Sequence, residues 1–207
     1  MQQPPLTSSS FDPAPITLET SKVRLEPMAM EHLEGFYRAG NYSEIWQWLP
    51  KNLCENLQTA KAWIQESLEN EQKGEDVPFV LFNQESGQII GSSRYLNIDR
   101  ANRVLEIGHT FITPEFQRSF VNTHAKFLLL GHAFEQLGAQ RVEFRTHEKN
   151  ERSRNAIARL GAQFEGILRQ NRILPDGSIR STALFSIVTT EWPQVKTRLQ
   201  TKMESYS

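Results

Sequence analysis

The residues best suited to chemistry crowd into the stretch between positions 105 and 153. Glu106 lies in Leu105-Glu106-Ile107-Gly108-His109-Thr110-Phe111, where strand alternation turns its carboxyl to the side opposite Leu105 and Ile107. A carboxyl partly buried in this way titrates above its usual range and suits a general base. An exposed strand carboxylate or a structural ion pair explains the same residue as well. His109 is the rival base, because an imidazole titrates near about 6.5 without help. A wall histidine with a satisfied hydrogen bond is the plainer account of it. Further on, Gln117-Arg118-Ser119-Phe120-Val121-Asn122-Thr123 leads into a helical pattern. A helix N-terminus offers converging N–H groups and a favourable dipole to an anion such as phosphate. Read by itself, the segment is a turn and a cap. Asn150 has the type and place of an N-cap, with Ser153 three residues on in the first turn.

Other candidates are weaker. Trp46, Trp48 and Tyr42 sit in the aromatic-rich connection Tyr42-Ser43-Glu44-Ile45-Trp46-Gln47-Trp48-Leu49-Pro50 and could shape an acceptor pocket. At that spacing aromatics are more often core. Arg94, with Tyr95, is a further candidate for the same pocket. His124 reads as a surface residue in the first turn of its helix, and His132 and His147 read as structural. Cys54 is the only cysteine, which excludes an intrachain disulfide and argues against a cysteine zinc site; no metal is expected.

Bulk properties set the frame around these residues. The 207 residues are 38% hydrophobic and 23% charged, the composition of a globular domain large enough to bury a core without staples. A net charge of −1 removes any global attraction to nucleic acid or acidic membranes. Basic and acidic residues alternate through 141–172, which describes a solvated face and not a phosphate track. No apolar run approaches the roughly 20 residues that span a bilayer, and Met1–Pro15 lacks the pattern of a secretory signal. A cytoplasmic location is therefore expected.

The elements that must position the candidates follow from periodicity. Residues 1–15, with four prolines, read as a flexible arm, and ordered structure is expected from about Ile16. A short strand at Val23–Glu26 precedes helices over Met30–Tyr42 and Thr59–Glu69. Strands at Phe79–Phe82, Gln88–Leu96 and Arg103–Ile112 form an antiparallel meander. Asn122–Leu137 carries two apolar stripes, the mark of a helix buried on most sides, and Gly138 ends it. A strand at Arg141–Thr146, a helix capped by Asn150, and a strand pair around Pro175-Asp176-Gly177 come next, with a last helix at Trp192–Lys202. The order β-α-α-β-β-β-α-β-α-β-β predicts one α/β (α+β) domain over 16–190, with 191–207 a C-terminal helix and tail. Its sheet is mixed, mostly antiparallel, with helices on both faces.

The succession of Leu105–Phe111, Thr113-Pro114-Glu115-Phe116-Gln117-Arg118, Asn122-Thr123-His124-Ala125-Lys126, Arg141-Val142-Glu143-Phe144, Asn150-Glu151-Arg152-Ser153 and Leu160–Gly166 resembles the GNAT superfamily of N-acetyltransferases. It is most similar to the branch of the ribosomal-protein N-terminal alanine acetyltransferases, over about Ile16–Thr190. The resemblance implies a sheet split open between Arg103–Ile112 and Arg141–Thr146, with acetyl-CoA as co-substrate in the split. The amine attacks the thioester directly while both substrates are bound. On that pattern Phe111, Ile112, Gln117, Arg118, Ser119, Phe120, Val121, Asn122, Thr123 and Asn150 contact the cofactor. Glu106 or His109 is the base, and Ser153 protonates the departing thiolate. Trp46, Trp48 and Arg94 border the acceptor, a small-molecule amine or a peptide N-terminus, and a homodimer is among the implied assemblies. One departure stands out: Phe120 occupies a position where the family's loop carries glycine. Glycine permits positive φ and close approach by phosphate, and phenylalanine hinders both. This leaves a non-catalytic acyl-CoA-binding protein as the alternative and leads to the expectation that Phe120→Gly keeps or tightens acetyl-CoA binding.

Overall fold

The computed structural model describes residues 11–49, 51–174 and 176–206. Among the described residues eight strands form a single sheet in the order β1-β2-β3-β4-β5-β6-β8-β7. The strands are β1 (Leu18–Glu19), β2 (Val23–Pro27), β3 (Val77–Asn83), β4 (Ile89–Asp99), β5 (Val104–Ile112), β6 (Arg141–His147), β7 (Gln163–Ile173) and β8 (Ile179–Val188). All neighbours are antiparallel except β5 and β6, which run parallel. The helices are α1 (Leu33–Gly40), α2 (Leu57–Gln72), α3 (Val121–Gly131, continued by a π turn at His132–Gln136), α4 (Glu151–Leu160) and α5 (Trp192–Glu204). The sheet is the one expected, with the two-residue β1 added at its edge.

Two apolar layers explain the arrangement. β3 is buried along nearly its whole length, as befits a strand covered on both faces. On one face Leu25, Phe79, Leu81, Tyr95, Leu105, Ile107 and Val142 pack against α3, α4 and α5 through Leu129, Leu130, Ile157 and Leu199. On the other, Val80 and Phe111 pack against α1 and α2 through Phe36, Ala60 and Ile64. Phe11 is buried in the first of these layers, so the packed chain begins at least five residues before Ile16; residues 1–10 of the expected arm lie outside the described residues. The turn at Pro175-Asp176-Gly177 is described only from Asp176, with Gly177 at φ +81°.

Two irregularities in the sheet decide how its centre is shaped. β5 and β6 pair only at Val104↔Arg141, Leu105↔Val142 and Glu106↔Glu143, after which they diverge. A bulge also interrupts the β4–β5 ladder: Ser92 faces Phe111 and Arg94 faces Gly108, so His109 and Thr110 together oppose Ser93. His109 takes φ +47° to make this turn. The extra residue reverses the side-chain alternation. Before the bulge Leu105 and Ile107 face α3; after it Phe111 faces α1 and α2.

Candidate active site

Where β5 and β6 part, a cleft of about 550 Å³ opens, lined on one side by 107–112 and on the other by Phe144, Arg145 and Thr146. Beyond Glu106 the edge of β5 that would face β6 has no strand beside it, so its backbone N–H and C=O groups are left for a ligand or solvent. The start of α3 closes one end of the cleft with Gln117, Arg118, Ser119, Asn122 and Thr123. The first-turn N–H groups of a helix have no partner four residues back. Here Ser119 Oγ accepts a long 3.4 Å bond from Val121 N, and the first backbone bond into the helix is His124 N to Phe120 O. The side chain of Gln117 ties the corner together, donating to Ile112 O at 2.9 Å and accepting from Arg152 Nη1 at 3.0 Å. Donors, a helix dipole and the cations Arg118, Arg152, Arg159 and Lys202 around one cleft fit a pyrophosphate.

Phe120 does not obstruct this. It adopts φ −62° and ψ −26°, ordinary helical values, at the N-cap of α3. Its ring lies edge-on to His124, with centroids 5.8 Å apart, and under Lys22 Nζ at 5.5 Å. Neither Phe120 nor Val121 lines the cleft; Val121 is fully buried in the core. The residue with positive φ in the loop is Arg118, at +60°. The expected start of α3 at Asn122 also moves to Val121, which puts Asn122 in the first turn and on the cleft wall.

Glu106 is 5% exposed, and its carboxyl lies behind the wall of the cleft and not on it. Asn97 Nδ2 donates to its Oε2 at 2.7 Å, and Arg145 Nε stands 3.4 Å from the same oxygen. Burial pushes its pKa up, and Asn97 and Arg145 offset part of that rise. Gly108, which does line the cleft, lets the carboxyl come this close, since a Cβ there would meet Glu106 Oε1 at 2.9 Å. His109 lines the cleft, stacked on Trp63 at 5.4 Å. Its pKa is lowered to about 3 by burial and by Arg94, Arg172 and Arg180. It is neutral near pH 7, and with its basicity lowered so far it is a weak proton acceptor. Asn150 and Ser153 both line the cleft, and Asn150 Oδ1 accepts from Ser153 N at 3.0 Å as an N-cap should.

The acceptor candidates divide. Trp48 lines the cleft, with its ring 5.1 Å from that of His147. Trp46 is core: its Nε1 donates to Gly40 O at 2.8 Å and its ring packs on Phe111. Arg94 is buried away from the cleft, bonded to Asp76 at 2.8 Å and Ser67 at 2.9 Å, with its guanidinium over Trp63. These three partners hold its guanidinium as part of the packing of β4 on α2. His124 is buried, with Nδ1 2.8 Å from Thr20 Oγ1, contrary to the surface reading. Sequence reasoning missed Asn97, Arg145 and Arg180 as wall or support residues. Asn97 had a readable signal, an Asn in a strand pattern, because Asn tolerates the φ of +49° that it adopts. Lys126 is buried on the cleft wall, and its Nζ donates to Thr110 Oγ1 at 2.8 Å.

A family model for the acetyltransferase (GNAT) domain matches residues 22–163, more than half of the chain. The chain belongs to the GNAT acetyltransferase family. A GCN5-related N-acetyltransferase from Brucella melitensis is 30% identical, with a TM-score of 0.86 over 93% of this chain and 87% of that one. A structure from T. thermophilus assigned to the acetyltransferases is 35% identical, with a TM-score of 0.81 over 91% and 97%. The Mycobacterium smegmatis RimJ structure in complex with CoA-disulfide shares the fold, with a TM-score of 0.79 over 91% and 95% at 22% identity. Comparison with curated proteins gives no match. This GNAT chain is thus an N-acetyltransferase, and the splayed pair β5–β6 is the expected split in its sheet. Among the described residues no helix is long and apolar enough to cross a membrane, and no cluster of metal-ligating side chains occurs.

Proposed function

We propose that this acetyltransferase moves the acetyl group of acetyl-CoA to a primary amine, on a small molecule or a peptide N-terminus, by direct attack while both substrates are bound. The observation that carries the reading is the end of the β5–β6 ladder at Glu106↔Glu143, beside the N-terminus of α3. That geometry offers two kinds of donor in one cleft. First-turn N–H groups of α3, with Arg118, Ser119 and Thr123, hold the pyrophosphate. The unpaired edge of β5 meets the amides of the pantetheine arm, and Asn150 adds its side-chain amide. That RimJ was solved with CoA-disulfide supports a CoA ligand here.

The chemistry asks for a base, a home for the oxyanion and a proton for the leaving group. Glu106, behind the cleft wall at Gly108, takes the amine's proton through a water, since burial has raised its affinity for one. A backbone N–H in the bulge around Gly108–Thr110 faces the developing oxyanion. Ser153 returns a proton to the thiolate, which needs little help because a thiol titrates near about 8.5. Phe120, the residue that spoke for a non-catalytic binder, faces away from the cleft.

Binding is tested by thermal unfolding with CoA. At about a hundredfold excess over Kd the ligand adds about 2.7 kcal/mol, or roughly 5–10 °C for a chain of this size. A midpoint unmoved by both CoA and acetyl-CoA would sink the proposal.

A further inference from the structure

The wall of the cleft contains a charge that the reaction above leaves idle. Arg180, on β8, lines the cleft and is only 9% exposed. Among the described residues its Nε has no hydrogen-bond partner, and its Nη1 makes a single long contact, 3.5 Å, to Trp48 O. Among the described residues no carboxylate lies within ion-pair distance of it. The neighbouring arginines are committed elsewhere: Arg94 to Asp76, and Arg145 to Glu143 and Glu106. Directly across the β7–β8 hairpin from Arg180 stands Arg172, exposed, a second cation and not a partner. A guanidinium taken out of water without a counter-charge is costly, and the cost is recovered when an anion joins it.

The location of Arg180 says which substrate that anion belongs to. Its contact is with the Trp48 loop, on the acceptor side, and its charge is felt by Glu106, His109 and His147. The pyrophosphate corner is built from other residues, Gln117, Arg118, Ser119 and Arg152. Near the acceptor, Glu106 is already approached by Arg145, so Arg172 and Arg180 add positive charge that an anionic acceptor offsets.

We propose that Arg180 is an acceptor-binding residue and that the amine acetylated by this enzyme carries a carboxylate, held by the Arg180 guanidinium while the amine sits in the cleft beside Gly108, within a water's reach of Glu106. The inference rests on the acetyl-transfer reading and adds a substrate class to it. Arg pairs with carboxylate through two parallel N–H···O bonds, so it selects geometry as well as charge.

The test uses matched acceptors with the full-length enzyme and acetyl-CoA. One pair is β-alanine against β-alaninamide. A second is two peptide amides that differ only by Glu or Gln after an N-terminal Ala. A third is O-phosphoethanolamine against ethanolamine. The carboxylate member of the first or second pair is expected to have a kcat/KM about tenfold or more above its neutral partner, and whichever pair responds tells a small amine from a peptide. In Arg180→Gln that ratio collapses toward one, because the acid loses far more than the amide does; Arg180→Lys keeps an intermediate ratio. A merely structural arginine would lower both members alike. The inference is overturned by equal rates for acid and amide in the wild type, by a preference that survives Arg180→Gln, or by a preference for the phosphate alone. A raised KM for acetyl-CoA with both acceptors affected alike would also overturn it, by assigning Arg180 to the other substrate. Loss of the CoA-induced thermal shift in the wild type is a different result, which removes the acetyl-transfer reading itself.

Discussion

Glu106 and Arg118 carry opposite kinds of information. Glu106 is buried, bonded by Asn97 and approached by Arg145, and its pKa is raised. Only its carboxylate form accepts a proton, so kcat should fall as pH drops through that raised pKa. In Glu106→Gln the acid limb should vanish and kcat should drop about a hundredfold or more; an unchanged pH–rate profile would remove Glu106 as the base. Arg118 combines a strained backbone, φ +60°, with a side chain on the cleft wall. Arg118→Gly should therefore leave stability unchanged or raise it by up to about 1 kcal/mol. The same change should raise the KM for acetyl-CoA several-fold, because a charged donor is lost. Unfolding curves and initial rates on one preparation check both halves. Phe120→Gly, by contrast, has lost its rationale as a change that tightens binding. A helical phenylalanine turned toward His124 and Lys22 contributes packing and not phosphate access.

Helix α4 shows how one side chain can serve an element and a ligand together. Asn150 caps α4 through Ser153 N and also lines the cleft. Asn150→Ala should cost about 1 kcal/mol of stability, whereas Asn150→Ser keeps a capping oxygen and should cost little. If the Asn150 amide also holds the pantetheine arm, both variants raise the KM for acetyl-CoA; a normal KM in Asn150→Ser would reduce the residue to a cap. The cap was legible because Asn before a helical pattern has one dominant local meaning. Strong periodicity likewise marked β5, α3 and α4 to within about two residues. The bulge at His109–Thr110 was not legible. Nothing in Gly108-His109-Thr110 announces a positive φ on histidine; the register is a matter of pairing with β4, where Gly91 leaves room for the Phe111 carbonyl against its backbone. Tertiary contacts also decided that Trp46 and Arg94 are internal while Trp48 faces the cleft. Residue type cannot distinguish those cases.

Lys126 ties the chemistry of the cleft to the stability of the molecule. It is buried between α3 and the sheet, bonded to Thr110 and Ser93, and burial lowers its pKa from 10.5 to about 7. Between those values the unfolded chain binds a proton that the folded chain does not. Stability should therefore rise with pH from about 7 to about 10, by at most about 1.4 kcal/mol per pH unit from this group. Urea unfolding across pH 7.5–9.5 should show that slope in the wild type and a flatter one in Lys126→Met. Equal slopes would mean that Lys126 remains charged in the fold.

Whether the acetyl group passes straight to the amine or first to the enzyme bears most directly on the central claim, that a cleft between β5 and β6 brings a thioester and an amine together for direct transfer. Initial rates of thiol release, measured while acetyl-CoA and a carboxylate-bearing amine are each varied, should give intersecting double-reciprocal lines, with no thiol burst in the absence of amine. Parallel lines, an amine-independent burst, or no amine-dependent release across the acceptor panel would contradict the account.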